Sequence, residues 1–305
     1  MKNIISLSGG KDSTAMLLWA LEKETPNLEV VFCDTGNEHP LTYEYIEYLG
    51  RRLQIEIRTV KADFTEQVNR KREKLRELWS DDVDPERIEK AIAALQPTGN
   101  PFLDLCLWKG RFPGAKTRFC TSLLKAECAK EQVFLPLLAA GEDIDSWQGI
   151  RAEESRARAQ MPRREFKMAD KDTGAELWCY RPILEWKAED CFAIMKKHMI
   201  APNPLYKLGM ARVGCMPCVM CRKSELVQIA MRFPDQIDRI RTWEKLVADA
   251  SKRGAATFFP IADARGVGID QVVEWSKTDR GGRQYGLFND WDDLPACSSE
   301  YGLCE

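Results

Sequence analysis

MKNIISLSGGKDSTAMLLWALEKE (residues 1–24) decides the reading of this chain. Ile4, Ile5 and Leu7 form a short β-type run, and from Ser13 to about Glu24 the residues Ala15, Met16, Trp19 and Ala20 recur at helical spacing. Between them stands SGGKDS (8–13). Gly9 and Gly10 can take positive φ and let backbone N–H groups face a ligand with no Cβ in the way. The helix that follows aims its N-terminus at the same spot, where its dipole favours an anion. Lys11 adds a positive charge, and Ser8 and Ser13 add hydroxyls. Strand, loop and helix together make a cradle for a pyrophosphate, although the spacing is not the GxxxxGK[ST] of a kinase-type loop. The plainer reading is a glycine turn with Asp12 or Ser13 as helix cap.

Working outward, LEVVFCDTG (28–36) reads as a buried strand ending in Asp34, Thr35 and Gly36. A helix over about 41–53 and an alternating strand over 55–60 follow. Strand and helix alternating with short links predict an α/β fold with a parallel sheet covered on both faces. Residues 64–100 are charge-rich, with helical stretches near 65–79 and 85–95. Residues 100–120 read as a loop broken by proline and glycine, 121–132 as a helix, and 148–167 as a basic, loop-rich stretch. A strand and turn over 177–186 and helices over 188–198 and 224–252 complete the pattern. The expected domains are a nucleotide-binding α/β unit over 1–210, with a helical insertion near 64–118, and a cysteine-rich, mainly helical region over 211–305.

With 305 residues, 44% of them hydrophobic, the chain can bury a sizeable core. A net charge of −2 argues against a protein that coats nucleic acid, while leaving room for a local basic face. No apolar run reaches the roughly 18 residues of a membrane span, and the N-terminus runs straight into a strand, so a cytoplasmic location without membrane contact is expected. Eleven cysteines are many for such a chain. In a reducing compartment they read as ligands, redox thiols or buried apolar residues. CMPCVMC places thiols at Cys215, Cys218 and Cys221, and two-residue gaps let neighbours reach one metal centre, iron–sulfur or zinc. Cys33, Cys106, Cys128, Cys179 and Cys191 sit in apolar or helical contexts and read as small buried hydrophobes.

SGGKDS resembles the signature of the PP-loop, or N-type ATP pyrophosphatase, enzymes. Four further stretches, in order along residues 1–222, resemble the phosphoadenosine phosphosulfate (PAPS) reductase family: FCDTGNEHPLTYEYI (32–46), QGIRAEESRAR (148–158), YRPILEWKAEDCFAIMKKHMIAPNPLY (180–206) and GMARVGCMPC (209–218). TRFCTSLLK places Cys120 where the phosphorothioation branch of that family carries a single upstream cysteine. The resemblance implies an adenine nucleotide α-hydrolase-like fold. It also implies nucleotide contacts from Ser8, Gly9, Gly10, Lys11, Asp12, Ser13, Asp34, Thr35, Gly36, Gly149, Arg151 and Arg158. Asp34 would hold a metal or ribose. Arg151 and Arg158 would clamp an anion, as guanidinium matches phosphate and sulfate in a bidentate way. A [4Fe–4S] cluster would be held by Cys120, Cys215 and Cys218, with Cys221, Cys297 or Cys304 as the fourth ligand. Zinc is the rival. His39 is expected near the site.

Two activities follow from the resemblance. An intact loop fits cleavage of ATP, with Mg²⁺, to an adenylated intermediate and pyrophosphate, coupled to sulfur transfer. Lys11, Asp34 and Arg151 would then be catalytic, a cysteine desulfurase or thioredoxin would supply sulfur or electrons, and a nucleic acid acceptor would lie along Arg151–Lys167. The alternative is a reductase that converts PAPS or adenosine phosphosulfate (APS) to sulfite. There a tail thiol attacks the sulfonucleotide, yet the tail here is SSEYGLCE, with Tyr301 in the usual cysteine's place and Cys304 three residues later. A third reading is a nucleotide-binding subunit without turnover.

Overall fold

A computed structural model describes residues 1–80, 83–259 and 268–278. Six strands form one sheet: β1 (Lys2–Leu7), β2 (Leu28–Asp34), β3 (Ile57–Lys61), β4 (Ile144–Trp147), β5 (Arg164–Ala169) and β6 (Glu176–Tyr180). Their order is β3-β2-β1-β4-β6-β5, parallel except for β5, which runs antiparallel to β6 at one edge. The class is the expected α/β. β1 and β2 are both flanked by neighbouring strands, and their residues are apolar on both faces. Ile5, Leu7, Val30 and Phe32 point to one side, and Ile4, Val31 and Cys33 to the other. The first face is covered by α1 (Lys11–Glu22), α2 (Pro40–Leu53) and the helix Ala188–Lys197. The second is covered by a helical run over 119–139, with Ala126, Val133, Phe134 and Leu138 against the strands.

A third cluster lies beside the sheet. In it α3 (Thr65–Trp79), α4 (Pro85–Ala94) and α5 (Pro101–Lys109) pack against the helices Lys223–Arg232, Pro234–Asp249 and Ile269–Ser276 through Val68, Leu75, Phe102, Ile240 and Val272. The helices expected at 65–79 and 85–95 therefore rest on the C-terminal segment.

Three sequence readings are corrected. Residues 100–120 are not all loop. The Asn100 side chain accepts from the Leu103 N–H, Pro101 opens α5, and Gly110 closes it in the left-handed region. The helix read over 224–252 is two helices that break at Phe233–Pro234, because proline cannot donate within a helix interior. The basic stretch 148–167 contains the start of edge strand β5, which the clustered arginines disguised. Among the described residues no helix is long and apolar enough to cross a membrane.

Candidate nucleotide and thiol site

The loops after β1, β2 and β4 leave the sheet at the same edge, where neighbouring strands run in parallel and their crossovers diverge. That is where open α/β sheets bind ligands. The loop after β1 is SGGKDS. Gly9 stands at φ +79°, and a Cβ there would sit 3.2 Å from Thr42 Cγ2, so the position requires glycine. Ser13 Oγ accepts from the Ser8 N–H (3.1 Å), lies 3.0 Å from Ser8 Oγ and donates to the Gly10 carbonyl (3.2 Å). The two serine hydroxyls thus close the loop on itself.

Other segments hold it from outside. The Lys11 N–H donates to the Tyr206 hydroxyl (2.7 Å), and Asn203 Nδ2 donates to the Gly9 carbonyl (3.3 Å). Sequence reasoning missed both residues as site members, though NPLY (203–206) was the available signal. Asp12 is buried at 1% exposure, where it accepts from Arg151 Nε (2.5 Å), from Lys11 Nζ (3.1 Å) and from the Cys191 thiol (3.4 Å). Burial works against the Arg151 charge, but the Asp12 carboxylate outweighs it and raises the guanidinium above its usual range. Arg151 also pairs with Glu153, and the buried Arg158 pairs with Glu154. Both arginines are thus engaged by the protein's own carboxylates. Gly149 brings two backbones together: a Cβ there would lie 3.2 Å from Asp12 C and Ser13 N. The close approach expected of it is to the start of α1.

The loop after β2 carries Asp34, Thr35 and Gly36. Asp34 Oδ1 accepts from the Gly36 N–H (2.9 Å) and from the Tyr43 hydroxyl (2.7 Å). The buried Glu38 accepts from Thr35 Oγ1 (2.7 Å) and the Thr35 N–H (3.2 Å). Those donors offset the cost of burying its carboxylate. His39 caps α2, with Nδ1 accepting from the Leu41 N–H (3.1 Å), its ring 4.5 Å from that of Phe233, and burial lowers its pKa. The other histidine, His198, lies 3.1 Å from Glu22.

The thiols meet these loops in one cavity. Ser8, Thr35, Cys120, Lys125, Cys215 and Cys218 are among its lining. Cys215 forms a backbone bridge with Glu38, and its sulfur lies 3.5 Å from Thr35 Oγ1. The Met216 N–H donates to the Asn37 carbonyl (2.7 Å), and Arg239 Nη2 donates to the Met216 carbonyl (2.6 Å) and to Asn37 Oδ1 (2.9 Å). Cys218 Sγ accepts from the Met220 N–H (3.4 Å) and from Arg212 (3.6 Å). Burial, then the neighbouring Cys218, pushes the Cys120 thiol up to about 11; burial and Glu38 raise Cys215. Lys125, which sequence reasoning passed over, keeps a raised pKa despite burial because Cys215 and Glu38 lie near it.

Three sulfur donors on one cavity suit a thiophilic centre, so the donor chemistry fits an iron–sulfur cluster or zinc. Cys221 is buried and does not line the cavity, while Cys297 and Cys304 lie outside the described residues. Among the described residues no three His, Cys, Asp or Glu side chains already form a metal-holding group.

The chain belongs to the phosphoadenosine phosphosulfate reductase domain family, which it matches over residues 2–221. It is 46% identical over 327 residues to an "uncharacterized 37.8 kDa protein" of Escherichia phage 186, covering 99% of this chain and 96% of that one. It is 31% identical over 140 residues to the adenosine 5′-phosphosulfate reductase of Neisseria meningitidis serogroup A, covering 44% of this chain and 53% of the reductase. A solved PAPS reductase from Candida auris, in complex with phosphate, aligns with a TM-score of 0.43 at 16% identity over 72% of this chain and 83% of its own.

Proposed function

We propose that this protein cleaves ATP to an adenylated intermediate and pyrophosphate and couples that step to sulfur transfer. The observation that carries the reading is the shared cavity: Ser8 of the phosphate loop and Thr35 of the β2 loop line the same space as Cys120, Cys215 and Cys218. An acceptor oxygen would attack the α-phosphorus, the bond to the bridging α–β oxygen would break, and pyrophosphate would leave with that electron pair. Lys11 offsets charge on the departing pyrophosphate. Asp12 and Arg151 act as positioning residues: they fix the first turn of α1 and so the direction of its N–H groups. Asp34 stands where a nucleotide ribose or Mg²⁺ would be held. A sulfur nucleophile would then displace AMP from the activated acceptor. A [4Fe–4S] cluster held by Cys120, Cys215 and Cys218 would supply or carry that sulfur or its electrons. Lys125 provides positive charge beside those thiols. A cysteine desulfurase or thioredoxin would serve as donor.

The second reading is reduction of PAPS or APS to sulfite, favoured by the named reductase relative. It requires a tail thiol, for which Cys304 is the candidate. Anaerobic calorimetry on cluster-loaded protein separates the two. A non-hydrolysable ATP analogue with Mg²⁺ is titrated first, then PAPS and APS. Tighter ATP binding, with pyrophosphate release lost in Lys11→Ala, supports adenylation. A tenfold preference for PAPS or APS, about 1.4 kcal/mol, overturns it in favour of the reductase.

A further inference from the structure

A second cavity of about 520 Å³ opens on the far side of the segment that carries Cys120. Lys109, Arg111, Lys116 and Arg118 line it, with hydroxyls from Thr117, Thr121 and Ser122. Arg118 and Thr121 also line the thiol cavity, so the two spaces share a wall. The one carboxylate on its lining, Glu127, is taken up by Lys130 (3.8 Å). Lys109, Arg111 and Lys116 have no ion-pair partner among the described residues. Two of the cations rest on aromatic faces: Lys109 Nζ is 3.5 Å from the Trp108 ring centroid, and the Arg111 guanidinium carbon 5.7 Å from that of Phe119. The loop that bears them is fixed. Phe112 is buried against Phe102 and Phe258, and Gly114 and Thr117 exchange backbone hydrogen bonds of 3.3 and 3.1 Å. Three cations without an ion-pair partner among the described residues, Lys109 at the end of α5 and Arg111 and Lys116 on the pinned loop, thus face a concave, polar space. Burial, and then the neighbouring Arg111, lowers the Lys109 pKa.

We propose that this cleft is a phosphate-binding subsite for a second, phosphorylated substrate, which it holds against the thiol cavity through the shared Arg118–Thr121 wall. Compact inorganic phosphates and the phosphodiester of an oligonucleotide carry the same chemistry, and both fit a fork of lysine and arginine donors. That the occupant is the sulfur acceptor rests on the adenylation reading; that it binds here does not. By contrast, Arg151 and Arg158 of the basic stretch expected to meet an acceptor are buried and paired.

The test saturates the PP-loop with whichever adenine nucleotide binds it, then titrates two probes at low salt: inorganic tripolyphosphate and a fluorescent single-stranded oligonucleotide. Wild type should bind at least one. Lys109→Gln/Arg111→Gln/Lys116→Gln should weaken that binding by about tenfold or more. If the oligonucleotide is the ligand, the slope of log K against log salt should fall by roughly 2, near 0.7 per lost contact. Nucleotide affinity should stay unchanged. Arg51→Gln/Arg52→Gln, which removes exposed charge from the end of α2, should bind as wild type. Lys116→Gln alone, in an exposed loop, should show a partial loss and covers the case in which the triple variant fails to fold. Preference between the probes identifies the source of the phosphate. Binding of neither probe, or unchanged binding in both cleft variants, overturns the proposal. A nucleotide preference for PAPS would sink the adenylation reading and leave the cleft's result standing.

Discussion

Residues 8–13 are shaped largely by one another. Ser8, Gly10 and Ser13 share their hydrogen bonds within a single turn, and α1 begins directly after them. Residues 213–221 lie a short distance away across one cavity and have no helix or strand of their own. Their shape comes from Asn37 and Arg239, partners far off in sequence. A phosphate cradle assembled locally is robust and readable. A thiol wall assembled from distant parts depends on how the third hydrophobic cluster packs, because Arg239 rides on the helix Pro234–Asp249.

The largest effect expected from breaking this contrast is at Asp12, where the local cradle meets a long-range anchor. Asp12→Ala leaves the Arg151 guanidinium buried beside no carboxylate at that position and should cost about 3–5 kcal/mol in chemical denaturation. A loss near 1 kcal/mol would show that Glu153 alone satisfies Arg151 and that the cradle stands unaided. Next, Arg239→Met removes the donor to Asn37 and Met216, at about 2 kcal/mol. Thiol labelling of Cys215 and Cys218 should speed up, and binding of the ATP analogue should weaken by a smaller factor, because the Glu38–Cys215 bridge ties the two loops together. Equal loss of both would mean the two loops are one unit.

Tyr206→Phe deletes the acceptor of the Lys11 N–H and should cost about 1 kcal/mol, with a matching few-fold loss of nucleotide affinity read by calorimetry. The smallest effect concerns His39, whose buried ring must stay neutral to accept from Leu41. Its folded pKa lies below the unfolded value, so the stability it contributes is present above about pH 6.5 and is lost as pH falls through the folded value. His39→Asn keeps a capping acceptor and should flatten that acid-side slope, at most ~1.4 kcal/mol per pH unit, in melts between pH 7 and 5.

The same contrast explains what the sequence made legible. The parallel sheet covered on both faces could be anticipated from the alternation of strands and helices and from the continuous apolar run of β2, and the phosphate loop from the glycines between a strand and a helix. Cys120, Cys215 and Cys218 could be placed together through motif likeness, and they do line one cavity. Asn203 and Tyr206 escaped because their partners sit nearly two hundred residues away. Helix α5 escaped because Pro101 and Gly110, which looked like breakers, serve as its first residue and its cap. The burial of Arg151 and Arg158 was hidden because carboxylates close in sequence, Glu153 and Glu154, absorb charges that a basic composition assigns to solvent.

The backbone bridge between Glu38 and Cys215 makes the cavity a two-way gauge. The loop after β2 cannot shift to meet a nucleotide without moving the peptide that carries a thiol, and the thiol cannot be drawn toward a metal without moving that loop. Under the proposed function, linkage would demand symmetry: whatever factor by which bound nucleotide altered the grip on a soft metal, the metal would alter the grip on nucleotide by the same factor. Occupancy on either side would thereby be reported to the other before any bond is made or broken.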